Sequence, residues 1–162
     1  MLDTLDGTLH DVVSEIVSDP RKAMAGSKVV LYGPEGAGKT TAMATLHNEL
    51  VARRWMAWWV DCFTFPNDFT VADEWHRILV PSPVLLLDDL GKEPDRMAEK
   101  MGRLLAARMQ VRGLTFITTN LAVDEEDPDA CALSQRYGRS LRSRILGNGE
   151  VVLVDGPDFR TS

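Results

Sequence analysis

The sequence has few of the features that define secreted, metal-stabilised or membrane proteins. Its two cysteines, Cys62 and Cys131, have no metal-like spacing and no histidine nearby, so we interpret them as reduced thiols without a function. No apolar run approaches the roughly 20 residues that cross a bilayer. The first ten residues carry acids where a signal peptide would carry Lys or Arg. We therefore expect a cytoplasmic protein that makes no contact with a membrane.

An excess of positive charge is also missing, because the 162 residues carry a formal net charge of −6. This balance argues against a protein that coats nucleic acid by charge alone. The charge nevertheless changes sign along one segment: acids crowd residues 124–129, and none follows until Glu150. The stretch between them accumulates basic residues instead, namely Arg136, Arg139, Arg142 and Arg144.

Short apolar stretches separated by helical patterns indicate the fold. The stretches predicted as strands are residues 28–32, 56–60, 84–87, 114–118 and 151–154. Ahead of the first strand, apolar residues recur at the spacing of one buried helix face, at Leu9, Val12, Val13, Ile16 and Val17. Strands that are apolar throughout and alternate with helices are typical of parallel sheets covered on both sides. We therefore predict an α/β fold with a five-stranded parallel sheet and helices on both faces.

A glycine-rich run follows the first strand and precedes a helix predicted from residue 39 to about 53. It reads Gly33, Pro34, Glu35, Gly36, Ala37, Gly38, Lys39 and Thr40, with Thr41 next. In such a P-loop the glycines turn backbone N–H groups toward phosphate oxygens, and the helix presents its positive end. Lys39 would reach the β- and γ-phosphates, Thr40 would bind Mg²⁺, and Thr41 would face the α-phosphate. The run predicts a site for a nucleoside triphosphate and Mg²⁺.

Polar residues end two further predicted strands. Asp88 and Asp89 come directly after the apolar residues 84–87, and Asn120 follows the strand at 114–118. A P-loop needs a carboxylate beside its Mg²⁺, a role that we give to Asp88. Asp89 would orient or deprotonate the attacking water, and Asn120 would hold that water. The alternatives are a solvated turn for the acids and a turn-opening residue for Asn120.

Together, the P-loop, the LLLDDLG and TFITTN segments and RYGRSLRSRIL resemble the AAA+ ATPases of the DnaC/DnaI/IstB helicase-loader group. The closing DGPDFR at 155–160 is similar to phage and prophage members. The resemblance implies an amino-terminal helix and linker at 1–27, an AAA+ core at 28–162 and no lid domain. It also implies an ATPase of DNA replication that binds Mg-ATP and acts on single-stranded DNA, with a replicative helicase as partner.

The same resemblance assigns further residues. Asn120 matches the sensor after the fourth strand, and Arg144 matches the arginine that completes a neighbouring subunit's site, with Arg139 as the runner-up. Self-association through Arg144 would then couple hydrolysis to assembly. Two alternatives for the late arginines stay open: a solvated helix face that pairs with the acids at 124–129, and a phosphate contact with single-stranded DNA.

Arg108 and four aromatic residues allow two interpretations each. Arg108 lies at the centre of an apolar stripe on a helix predicted from about 94 to 111. Its head either reaches water at the helix end or lies at a nucleotide or subunit interface. The aromatic residues either fill the core or stack on DNA bases; they are Phe63, Phe65, Phe69 and Trp75.

Two other functions remain compatible with the sequence. A chain of this length with a P-loop can be a small-molecule kinase, although the tandem aspartates and late arginines favour the ATPase. The chain can also be a non-hydrolysing, ATP-gated transposition helper of the IstB type. Asp89 supports that second alternative, because many hydrolases of this class carry the longer Glu at this position.

Overall fold

The computed structural model describes residues 2–123 and 131–156. Its strands are β1 (Lys28–Tyr32), β2 (Ala57–Asp61), β3 (Val84–Leu90), β4 (Leu114–Thr119) and β5 (Glu150–Leu153). They pair in parallel into one sheet with the order β2-β3-β4-β1-β5. The predicted five-stranded parallel sheet is therefore confirmed, and β1 lies inside it, between β4 and β5.

The helices connect these strands. They are α1 (Gly7–Ser18), α2 (Pro20–Met24), α3 (Lys39–Ala52), α4 (Phe69–Leu79), α5 (Ala98–Arg108), α6 (Ala132–Tyr137) and α7 (Arg139–Asn148). Short 3-10 turns occur at Leu2–Thr4, Cys62–Thr64 and Asp95–Met97. The helix predicted from about 94 to 111 was too long: its first residues form the last of these turns, because Pro94 lies in extended backbone just before it.

Both faces of the sheet are covered, as predicted. Successive strand residues point to opposite faces, so Leu86 and Phe116 face the layer of α1 and α3, whereas Leu87 and Ile117 face the layer of α4 to α7. All five apolar residues of the stripe that predicted α1 are buried against the sheet and α3. This first helix is thus part of the core that supports the glycine-rich loop.

The complete burial of Arg108 contradicts both interpretations that the sequence left open for it. Its side chain is fully buried, so it neither reaches water nor lies on an exposed surface. The guanidinium donates to the carbonyl oxygens of Val80 at 2.7 Å and Leu114 at 2.8 Å, and to the Thr115 hydroxyl at 2.8 Å. Arg108 therefore joins the end of α5 to the end of α4 and the start of β4.

The cysteines behave as the sequence predicts, since both are buried free thiols. Burial raises the pKa of the Cys62 thiol well above its ordinary value, which keeps it protonated and unreactive. Within the two described ranges, no helix has the length and apolar character needed to span a membrane.

Candidate nucleotide site

The strand order places β3, β4 and β1 side by side, so the residues at their carboxyl ends meet at one edge of the sheet. They line a cavity of about 540 Å³, a volume typical of small-molecule sites. The predicted site residues that line it are Glu35, Gly36, Gly38, Lys39, Thr40, Thr41, Asp89 and Asn120. The fold thus brings together predicted site residues that lie up to 85 positions apart in the sequence, such as Glu35 and Asn120.

The glycine-rich loop packs tightly against the residue that follows β5. Gly33 has a φ of 144°, and a Cβ on it would lie 2.2 Å from the carbonyl oxygen of Val154. Any side chain there would collide with backbone, so this position requires glycine. At the other end of the loop, Gly38 takes a left-handed conformation and begins α3, whose positive end therefore opens at the cavity.

The lysine of the loop is held inside it. Lys39 is only 5% exposed, and its Nζ donates to the carbonyl oxygens of Gly33 at 2.9 Å and Pro34 at 2.6 Å. Carbonyl oxygens satisfy the ammonium here in the way that phosphate oxygens do in a loaded P-loop. The loop is therefore folded around a cation before any anion arrives.

Two hydroxyls converge on the buried carboxylate of Asp88. The Thr40 hydroxyl donates to Oδ1 of Asp88 at 3.1 Å, and the Thr118 hydroxyl donates to the same oxygen at 2.5 Å. A threonine hydroxyl and an aspartate oxygen are ligands that Mg²⁺ accepts, so the donor set fits this ion. In the described part of the chain no three His, Cys, Asp or Glu side chains form a metal cluster, so phosphate and water would supply the remaining ligands.

Asp89 serves the same cavity although it is the next residue along the strand. In a regular strand, neighbouring side chains point to opposite faces. The pairing of β3 with β4 shifts register between Leu87 and Leu90, and Asp89 has a φ of 55°. This irregularity turns Asp89 into the cavity. Burial, followed by the charge of Asp88, raises the pKa of the Asp89 carboxyl, which makes it a better proton acceptor.

Asn120 presents an acceptor that nothing in the described chain satisfies. Its Nδ2 donates to Oε1 of Glu35 at 3.2 Å, while its Oδ1 is buried and has no hydrogen-bond partner among the described residues. The opposite amide orientation would place the oxygen against the Glu35 carboxylate, so the amide nitrogen faces Glu35. A water molecule that donates to Oδ1 would satisfy it.

Arg144 and Arg139 are exposed on α7 and do not line this cavity. Arg144 borders a separate depression of about 380 Å³ between α5 and α7. Arg136 is different, because Nε donates to Oε1 of the buried Glu93 at 2.8 Å. The late arginines are thus not one uniform solvated face. The acids at 124–129 and residues 157–160 of the closing motif lie outside the described residues.

The chain is similar to several known proteins. A family model described as RNA helicase matches residues 29–111, just over half of the chain. The replicative helicase loader DnaI of Bacillus subtilis (strain 168) is 28% identical over an alignment of 122 residues that covers 70% of this chain. A crystal structure of DnaI has a TM-score of 0.75 and 23% identity, covering 97% of this chain and 88% of that chain. The chain belongs to the family of this model, and its similarity to DnaI and DnaC supports the DnaC/DnaI-like AAA+ group.

Other solved structures share this fold. The DnaC helicase loader has a TM-score of 0.71 at 22% identity, over 95% of this chain and 96% of that chain. The replication initiator DnaA bound to AMPPCP and single-stranded DNA has a TM-score of 0.72 at 17% identity, over 97% of this chain and 50% of that chain. The chain spans about two fifths of the length of the curated DnaI that it matches, 39%.

Several residues at the site escaped the sequence interpretation. Thr118 received no role, because the register of β3 with β4 that sets it beside Asp88 is known only from the fold. Lys92 lines the cavity, but it follows the aspartates without a motif of its own. The amino-terminal segment also lines the cavity, through Thr4, Leu5, Asp6 and Leu9, and Leu9 lies beside Gly38 of the loop. The apolar spacing of α1 predicted a buried helix face and gave no sign that this segment reaches the site.

The four aromatic residues divide between core and surface. Phe65 is buried and meets the ring of Trp75 edge to face at 5.9 Å. Phe63 and Phe69 are 71% and 48% exposed. The guanidinium carbon of Arg96 lies 5.0 Å, and the ammonium of Lys100 5.6 Å, from the centre of the Phe69 ring. The core interpretation therefore applies to Phe65 and Trp75, whereas Phe69 lies on the surface beside two cations.

Proposed function

We propose that this chain binds Mg-ATP and hydrolyses it slowly, and that it acts in DNA replication as a helicase loader or loader-like remodelling factor on single-stranded DNA. The observation that carries the proposal is the convergence of Lys39, the Thr40–Asp88 pair and Asn120 on one cavity. The name of the curated relative, a replicative helicase loader, supports the biological role.

Binding begins with an exchange of partners at Lys39. Its ammonium leaves the carbonyl oxygens of Gly33 and Pro34 and donates to β- and γ-phosphate oxygens instead. The hydroxyl of Thr41 faces the α-phosphate. Thr40 and Asp88 would hold the Mg²⁺, which would neutralise phosphate charge. Leu5, a partly exposed apolar residue that lines the cavity, would contact the nucleoside.

Hydrolysis uses Asp89 and Asn120, which both line the cavity. Asn120 accepts a hydrogen bond from the attacking water through its unsatisfied Oδ1, and Asp89 accepts the proton that the water releases. Because the Asp side chain is one methylene shorter than Glu, its carboxylate lies farther from this water. We therefore expect a low basal turnover.

Arg144 supplies positive charge in trans. It is exposed on α7 and does not line its own cavity, so it can complete only the cavity of a neighbouring copy. An arginine delivered in this way stabilises the transition state only after subunits meet, which makes ATP an assembly switch. Arg139, exposed at the start of the same helix, is the second candidate.

Single-stranded DNA would contact the surface around Phe69. An exposed aromatic ring beside two cations, Arg96 and Lys100, matches the combination of base stacking and phosphate attraction that binds single strands. The exposed Phe63 offers a second ring. The proposal of a helicase partner is supported by the names of the relatives and not by particular residues of this chain.

The decisive test is steady-state ATPase activity with Mg²⁺ over a series of protein concentrations, with and without single-stranded DNA. We expect turnover per subunit to rise with both. Arg144→Ala should still bind ATP while its turnover falls roughly a hundredfold or more. Arg21→Ala, which removes an exposed arginine of α2, is the matched control. Lys39→Ala should abolish ATP binding.

The opposite results have distinct meanings. Turnover that is independent of concentration and DNA would contradict the assembling ATPase and favour a small-molecule kinase. An absence of turnover with intact ATP binding would favour a non-hydrolysing, ATP-gated helper. Normal turnover of Arg144→Ala would remove Arg144 as the trans-acting residue. An unchanged ATP affinity of Lys39→Ala would overturn the P-loop assignment itself.

A further inference from the structure

Three side chains from three different loops meet at the mouth of the cavity. Oε1 of Glu35, in the glycine-rich loop, accepts from Nζ of Lys92 at 2.6 Å and from Nδ2 of Asn120 at 3.2 Å. Lys92 follows β3 and Asn120 follows β4. One carboxylate oxygen therefore gathers a cation and an amide donor beside the P-loop.

The two lysines of the cavity, Lys39 and Lys92, contact different groups. The ammonium of Lys39 is bound within the loop by the carbonyl oxygens of Gly33 and Pro34. Lys92 instead lies beside Asn120, the residue to which we assign the attacking water, and both line the cavity together with Asp89. A terminal phosphate faces the attacking water, so the Glu35 oxygen marks the end of the cavity where a γ-phosphate would be.

We propose that Lys92 is a second phosphate-binding cation that recognises the γ-phosphate, and that Glu35 occupies its place until a triphosphate arrives. The proposal rests on the function proposed above. When ATP binds, a γ-phosphate oxygen replaces Oε1 of Glu35 as the acceptor for Lys92 and Asn120. ADP lacks that oxygen and leaves the Lys92–Glu35 pair in place. The pair thus distinguishes the two nucleotides.

Electrostatics favour this exchange over a fixed pair. The cavity already carries the carboxylates of Glu35 and Asp89, with Asp88 bonded to its lining residue Thr40, and a triphosphate adds further negative charge. A charge-assisted contact of Lys92 with the γ-phosphate offsets that repulsion where it is greatest. The exposed pair costs little to break, because the side chains of Lys92 and Glu35 are 42% and 59% exposed.

Nucleotide affinity of four proteins tests the proposal: the wild type, Lys92→Gln, Glu35→Gln and the double variant. Calorimetry with Mg²⁺ measures the binding of ADP and of the β,γ-methylene analogue of ATP, which is not hydrolysed. We expect Lys92→Gln to weaken the analogue about tenfold while ADP changes less than about twofold. Glu35→Gln should strengthen the analogue severalfold, because the competing carboxylate is gone. Lys22→Gln, an exposed lysine of α2, is the control.

The double variant separates recognition from simple neutralisation. If Lys92 contacts the γ-phosphate, the double variant keeps the lowered preference for the triphosphate analogue that Lys92→Gln shows. If Lys92 only neutralises Glu35, the double variant regains the wild-type preference, and the proposal is overturned. An equal loss of both nucleotides in Lys92→Gln would also overturn it.

A failure of this inference is distinguishable from a failure of the proposed function. A wild-type protein that binds neither nucleotide would remove the ATPase proposal. A wild-type protein that binds both, loses both in Lys39→Ala and keeps its preference in Lys92→Gln would remove the γ-phosphate role of Lys92 alone. Both substituted residues are partly exposed, so thermal unfolding monitored by circular dichroism should remain close to that of the wild type.

Discussion

At the scale of single residues, two buried cations outside the nucleotide site are satisfied mainly by backbone carbonyls. Arg108 ends α5, and its partners lie at the end of α4 and the starts of β3 and β4. Lys28 is 5% exposed and donates to the carbonyl oxygens of Arg108, Val111 and Gly113. Carbonyls at helix ends carry partial negative charge, so they stabilise a cation where no carboxylate approaches.

Removing the guanidinium should destabilise the fold. In Arg108→Met, several buried carbonyls lose their donor, and we expect the free energy of unfolding to fall by about 3–5 kcal/mol. Arg103→Met on the same helix, whose side chain is 67% exposed, should change it by less than about 1 kcal/mol. Urea denaturation measures both. Arg108→Lys, which keeps the charge, should fall between them; equal stability of all three variants would contradict the role of Arg108.

The arginine shows where inference from sequence stops. Its helical spacing correctly put Arg108 on the buried face, but the pattern carries no information on which carbonyls α4 and β4 present there. The P-loop, the tandem aspartates and Asn120 were found because each belongs to a motif at a strand end. The contact of Lys92 with Glu35 was not, because 57 residues separate them and only the folded sheet brings the loops together.

At the scale of elements, the sheet and the loop depend on one close approach. All five strands were predictable from their apolar residues. The three inner strands are buried almost throughout, whereas β2 and β5 are partly exposed. β3 extends to Leu90 through the irregularity at Asp89, which hydrophobicity does not reveal. The fit of Gly33 against Val154 likewise appears only in three dimensions.

A methyl group at Gly33 should disturb both structure and binding. Gly33→Ala places a Cβ 2.2 Å from the Val154 carbonyl oxygen, so the loop or the chain after β5 must move. We expect a loss of at least about 2 kcal/mol in unfolding free energy, with weaker ATP binding. Gly147→Ala is the control, because nothing lies within 4 Å of its new Cβ and it is within α7, where alanine favours the helix. Wild-type behaviour of both variants would refute the tight fit.

At the scale of the whole molecule, stability should depend on pH through Lys28. Burial, followed by the charge of Arg108, lowers the pKa of the Lys28 ammonium from 10.5 to about 8. Above pH 8 the folded protein releases this proton while the unfolded chain retains it, so stability rises with pH until about 10.5. Below pH 8 both states are protonated, and this contribution is constant.

Lys28→Met isolates that contribution from other titrating groups. Between pH 7 and pH 9.5, we expect the wild type to gain up to about 2 kcal/mol of unfolding free energy relative to Lys28→Met. Urea denaturation of both proteins at the two pH values gives the difference. A constant difference would mean that Lys28 keeps its ordinary pKa in the fold.

The strand order also has a consequence for how the molecule opens. The strands that carry the candidate site, β3, β4 and β1, are the inner three, whereas β2 and β5 each have one edge that pairs with no other described strand. Backbone amides at an edge exchange with solvent through small local openings, and those of inner strands only when the sheet comes apart. The outer strands can therefore fray and rejoin many times while the three strands beneath the nucleotide stay in register.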